Sequence, residues 1–155
     1  MKSEREKIND QRKEELLRLF NEKAPIARTF GMKLSFTEDG RAVIDLPYNP
    51  NLNHALGAIH GGIYATVLDN AGWFTAAVLH ELSRWLATSE LTIHFLEPAQ
   101  GVAIRGIGKI IRHGKRQDVV EMFLYDETGH LIAHAVGTFV VVQNASLNNR
   151  REVSQ

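Results

Sequence analysis

One stretch limits what this chain can fold into more than any other. Residues 61–83 read GGIYATVLDNAGWFTAAVLHELS. The few polar residues do not gather on one face in this reading, and a helix that is apolar nearly all round is a buried helix. Ala65, Ala71, Gly72, Ala76 and Ala77 are small enough to let neighbouring backbone approach closely. A chain of 155 residues is the length of one ordinary domain, long enough to bury such a helix without disulfide or metal staples.

The segments after the helix indicate its cover. Residues 86–96, 102–112, 117–126 and 130–143 read as strands, and Asp126-Glu127-Thr128-Gly129 is a hairpin turn signal with Gly129 suited to positive φ. Before it, 41–48 alternates as a strand, and 49–59 is a loop rich in Asn, Pro and Gly. Residues 3–24 read as a helix with a Ser3–Glu6 capping box and a narrow apolar stripe of Ile8, Leu16, Leu19 and Phe20, ended by Pro25. Residues 144–155 are polar and expected to fray. The expected organisation is an N-terminal helix over 1–24, a main domain over 25–143 and a tail over 144–155. Strands clustered after a helix give the α+β class, with an antiparallel sheet curved around the buried helix.

Composition removes several functions. Lys plus Arg and Asp plus Glu are 18 each, for a formal net charge of zero, so the basic excess of a nucleic-acid binder is missing. There is no cysteine, which rules out disulfides, thiolate zinc sites and cysteine nucleophiles. The first residues hold no apolar signal segment, and the longest mostly apolar run, Leu131–Val142, falls short of the roughly 20 residues needed to span a bilayer. A cytoplasmic protein without membrane contact is the expectation. Metal binding is not expected either. His130 and His134 would stand about 13 Å apart on a strand, and His54 with His60 lacks a third ligand. Gly106-Ile107-Gly108 lacks the rest of a dinucleotide fingerprint.

Two features could carry chemistry. Asp69 lies inside the apolar helix, and its neighbours one turn away are Ala65, Thr66, Gly72 and Trp73, none a cation. Apolar contact raises a carboxyl pKa, which suits a general base near neutral pH. The other reading is an Asp hydrogen-bonded to Thr66 or to a facing strand. The second feature is His60-Gly61-Gly62 at the helix start. Free N–H groups and the partial positive charge of a helix N-terminus could stabilise an oxyanion, and glycines let a ligand come close. A glycine hinge with a packed histidine is the alternative. Asp69 and Gly61 are eight residues apart, about 12 Å along a helix axis. Either they are unrelated, or a twofold dimer brings Asp69 of one chain to the Gly61 end of the other.

HGG-x(6)-D in a long apolar helix, then TIHFLEPA and the later HGK and GTFVVV segments, resemble the hotdog-fold acyl-CoA thioesterases, most closely the phenylacetate-pathway branch. The resemblance covers roughly residues 25–143. It implies a hotdog fold, a curved antiparallel sheet around the 61–83 helix, assembled as a homodimer and then a dimer of dimers. It implies a hydrolase that splits acyl-CoA into a carboxylic acid and CoA. By this resemblance Asp69 is the base or nucleophile, the Gly61 N–H polarises the thioester carbonyl, and His60 with Gly62 shapes that end of the site. The branch often has Asn six residues before the motif histidine. That position is His54 here, with Asn53 one residue earlier, and either would position the water. Thr88, ten residues before Pro98, matches a small hydroxyl residue of the family. Tyr64 and Trp73 are expected to line the acyl pocket. Arg112, Lys115 and Arg116 of the RHGKR run are either a solvated hairpin or contacts for CoA phosphates. No cofactor is expected beyond the CoA thioester substrate. A non-catalytic acyl-CoA binding protein and a hotdog dehydratase or hydratase are the alternatives.

Overall fold

A computed structural model describes residues 4–142. The Ser3–Glu6 capping box and the polar tail lie outside the described residues. Helix α1 is Glu4–Arg18, and a π-helical turn succeeds it at Leu19–Lys23. Pro25 does not simply end a helix. It opens a second one, α2, Pro25–Phe30, at the first helical position, where its missing N–H costs nothing and its φ is already set. Gly31, at φ 77°, closes α2 in the left-handed conformation that favours glycine.

Six strands form one antiparallel sheet: β1 Lys33–Phe36, β2 Ala42–Leu46, β3 Trp85–Phe95, β4 Ile104–Arg112, β5 Gln117–Asp126 and β6 Leu131–Val142. Their order across the sheet is β1-β2-β4-β5-β6-β3. The strand β1 was not expected. Four residues reading KLSF carry too little alternation to announce a strand, and pairing with β2 makes it one. The hairpin turn at 126–129 forms as expected, with Gly129 at φ 86°.

Helix α3, Gly61–Ala77, packs against β2, β3, β4, β5 and β6. Glycines on both sides allow the close approach. A Cβ on Gly72 would fall 2.1 Å from Met122 Sδ and 2.6 Å from Phe139 Cζ, and one on Gly108 would fall 2.2 Å from Thr75 Oγ1. The helix is not buried on every side. Thr66, Asp69, Asn70 and Trp73 are only half-buried, and their spacing places them on one stripe. Thr66, Asp69 and Asn70 share this stripe, whereas Thr75 is buried on the opposite side, its hydroxyl accepting the Ala42 N–H at 3.0 Å.

The helix also ends six residues earlier than expected, at Ala77. The cause is Arg12 of α1, itself 3% exposed. Its guanidinium donates to the carbonyls of Ala77 at 3.1 Å, Leu82 at 3.2 Å and Arg84 at 2.9 Å. A cation at a helix C-terminus satisfies orphan carbonyls and opposes the helix dipole. The N-terminal segment joins the main core as well, through fully buried Leu16 and Phe20. Among the described residues no helix is long and apolar enough to cross a membrane.

Candidate active site on the open face of the central helix

Asp69 lies on the half-covered stripe of α3, opposite β3. Thr88 Oγ1 donates to Asp69 Oδ1 at 2.8 Å. Of the two hydrogen-bond partners considered from sequence, the facing strand supplies it. Thr66 instead bonds back to the Gly62 carbonyl at 2.9 Å, a local bond typical of hydroxyls inside helices. Burial raises the Asp69 pKa above its ordinary value of 3.8, and the Thr88 hydroxyl only partly offsets this. A bulge between Thr88 and Glu90 shifts the β3–β6 register, so Thr88 can turn toward α3 while Ser89 bonds the Thr138 carbonyl.

Beside Asp69 and Thr88 lies a cavity of about 430 Å³. Trp73 lines it. Phe74, Trp85 and Leu86 line it too, and so do Leu19, Phe20, Lys23 and Ile26 of the N-terminal segment. The Trp73 and Trp85 rings stand 4.8 Å apart, and the Trp73 indole N–H is held by the Leu86 carbonyl at 2.9 Å. Sequence reasoning gave the N-terminal segment no place in the site. Its one available signal was the apolar stripe holding Leu19 and Phe20. Tyr64 lies elsewhere: its hydroxyl donates to the Glu97 carbonyl at 3.1 Å and its ring stacks on Phe95. The cavity by Asp69 does not include it.

The start of α3 is ordered from behind. His60 N–H donates to the Leu52 carbonyl at 3.0 Å, and Ile59 N–H to the Ala99 carbonyl at 2.9 Å. The His60 side chain is the helix cap, its Nδ1 accepting the Gly62 N–H at 2.9 Å. This bond requires a lone pair on Nδ1. Gly62 is thereby occupied, whereas the Gly61 N–H makes no hydrogen bond among the described residues. A substrate oxygen can take it. His54 Nδ1 accepts from Leu56 N–H at 3.1 Å and so stabilises its own loop. Asn53 Oδ1 is buried without a partner, and a buried acceptor of this kind calls for a donor.

Arg112, Lys115 and Arg116 lie together, exposed, where β4 turns into β5. They do not line the Asp69 cavity. Their neighbour His113 is tied down instead. Its Nδ1 lies 2.6 Å from Oδ1 of Asp118, which also accepts the Gly114 N–H at 3.1 Å and pairs through Oδ2 with His80 Nε2. This cluster also escaped the sequence reading, because its three members belong to separate segments.

A half-buried carboxylate, a hydroxyl that orients it, an aromatic cavity and a free helix-start amide are the parts of a hydrolase for acyl compounds. The Thioesterase superfamily pattern matches residues 56–133, and the chain belongs to that superfamily, with its hotdog fold. A protein from Bacillus halodurans, solved with CoA, is 31% identical, with a TM-score of 0.74 over 92% of this chain and 97% of that one. The medium/long-chain acyl-CoA thioesterase of Escherichia coli is 28% identical over 76% of this chain and 85% of its own. The 1,4-dihydroxy-2-naphthoyl-CoA hydrolase of Listeria monocytogenes is 25% identical over 75% of this chain and 94% of its own.

Proposed function

We propose that the protein is an acyl-CoA thioesterase of the phenylacetate-pathway type, with each active site shared between two copies of the chain. The observation that carries this is Asp69, held by Thr88 at the edge of an aromatic cavity. The relatives that act on or are bound to CoA compounds support the substrate class.

Asp69 acts as general base or as nucleophile. As base, it takes a proton from water as the water oxygen bonds the thioester carbonyl carbon. The carbonyl oxygen gains charge and is stabilised by the Gly61 N–H of the other copy. Collapse re-forms the C=O bond and breaks the C–S bond, and the sulfur leaves with a proton as CoA thiol. As nucleophile, Asp69 bonds the carbonyl carbon, the C–S bond breaks and CoA leaves as the protonated thiol, and water then hydrolyses the resulting mixed anhydride to the carboxylic acid and free Asp69. Asn53 offers its buried carbonyl oxygen to the water in either case. No cofactor enters this reaction.

The separation of about 12 Å between Asp69 and Gly61 along α3 is too long for one carbonyl group, which favours a shared site. The edge strand β3 supports the homodimer. It has eleven residues with one side unpaired among the described residues, and Phe95 and Leu96 at its end are 56% and 51% exposed. A long, exposed edge is a template for pairing. A dimer of dimers rests on the resemblance alone. Arg112, Lys115 and Arg116 would meet the CoA phosphates, Gly62 lets the thioester approach, and Tyr64 contributes to the acyl pocket from the partner's side. Such a reading fits a cytoplasmic enzyme.

Thiol release from a panel of aryl and aliphatic acyl-CoAs tests it, and a chain without cysteine adds no thiol background. Release that disappears in Asp69→Ala is expected. Binding of acyl-CoA without turnover would replace this reading with the non-catalytic one, and water addition to an enoyl-CoA would replace it with the hydratase.

A further inference from the structure

The far end of α3 holds a polar cluster with no part in the proposed hydrolysis. Asp118 of β5 is fully buried. His80 reaches it from the turn after α3, and His113 from the β4–β5 hairpin. Among the described residues its side-chain partners are these two imidazoles, and no lysine or arginine lies within ion-pair distance of it. We propose that His80, His113 and Asp118 form a binding site for one divalent transition-metal ion of the zinc class.

The donor set carries the inference. One nitrogen from each histidine and a carboxylate oxygen all lie within 4.8 Å of one another. Two imidazoles and one carboxylate are a zinc ligand set that leaves a fourth tetrahedral position to water. The Gly114 N–H on Asp118 Oδ1 at 3.1 Å fixes the carboxylate from behind, as outer partners of metal ligands do. A hollow beside His80 and His113 opens to solvent and gives an ion a way in.

Each histidine now stands at hydrogen-bond spacing from Asp118, with His113 Nδ1 at 2.6 Å from it. Around an ion held at about 2.0–2.1 Å from each ligand, they would spread to roughly 3.3 Å. His113 is 45% exposed on a hairpin and can supply that movement. The ion would displace the protons that these hydrogen bonds now hold. Arg84 and Lys115 also line the hollow, with Glu81. Two cations against one acid weaken cation binding, so a dissociation constant on the order of micromolar is expected. The bound ion would tie the end of α3 to the β4–β5 hairpin and stabilise the folded chain.

The test uses the tag-free full chain, stripped of metal and titrated with Zn²⁺ by calorimetry and with Co²⁺ by visible absorption. One ion per chain, a tetrahedral Co²⁺ spectrum and a higher Tm are expected. His113→Ala changes an exposed residue and should keep the fold by circular dichroism, yet weaken binding by at least about 10-fold and abolish the spectrum. Asp118→Asn should do the same, provided its dichroism is unchanged. Absence of binding, or binding unchanged in folded His113→Ala, overturns the proposal.

Discussion

Asp69 is placed where ionisation is costly. Burial raises its pKa, and the Thr88 hydroxyl bond pulls it back. A base must be ionised to work, so kcat/KM should fall as pH drops through this raised value, an acid limb above that of an ordinary Asp. Thr88→Val removes the bond that favours the carboxylate. Its limb in a pH–rate profile should move to still higher pH, with kcat about 10-fold lower or worse at neutral pH. Stability moves in the opposite sense. The folded pKa lies above the unfolded one, so the folded state is favoured at low pH and loses that advantage as pH rises through the raised value. Asp69→Asn should therefore melt higher than the native chain at pH 7, and the gain should vanish below about pH 3.8. Gly61 permits an equally direct test. His60 has φ −63° and ψ 136°, the conformation that residues before proline favour, and proline suits the first helical position. Gly61→Pro deletes the amide donor and keeps the helix start. A loss of about 100- to 1000-fold in kcat with unchanged circular dichroism is expected.

Helix α3 depends on what its neighbours lack. Alanine is a better helix former than glycine by about 1 kcal/mol, so propensity alone favours Gly72→Ala. Sterics oppose it, because the new methyl would lie 2.1 Å from Met122 Sδ and 2.6 Å from a Phe139 ring carbon. Overpacking of a filled core costs about 1–3 kcal/mol, and these contacts are near the upper end. Chemical denaturation should show a net loss of about 2 kcal/mol. At the other end of the element, Arg12→Met keeps the aliphatic bulk but leaves three carbonyls without their donor. Unsatisfied buried acceptors cost about 1–3 kcal/mol each where water cannot reach them. A drop of about 3 kcal/mol is expected for this exchange, read from the same denaturation curves. The N-terminal helix, which carries charge on most faces, thus serves the fold through buried Arg12 and Leu16 and the cavity through the π-helical turn after it.

At the scale of the whole molecule, the prediction concerns the shared site. Asp69→Asn and Gly61→Pro chains are each expected to be inactive. In a mixed dimer, one site combines both defects and the other combines both intact halves. Equal amounts, unfolded and refolded together, should recover about a quarter of native activity, since half the dimers are mixed and each has one working site. Recovery near zero would show that both groups act within one chain.

Much of this molecule could be read from its residues. The four long strands, the hairpin at Gly129 and the central helix were legible in hydrophobic period and turn chemistry, which are local. The HGG-x(6)-D spacing was visible as a local pattern, and Thr88 was named only through the family resemblance. Four things depended on partners distant in sequence. The strand β1 exists because β2 is there to pair with it. The end of α3 is set by Arg12, 65 residues away in sequence. The Asp69 cavity draws a wall from residues 19–26, and His80, His113 and Asp118 meet only once α3 has packed into the sheet. Periodicity reports which face of an element is buried. Which distant side chain stands against it is decided by close packing of the whole chain.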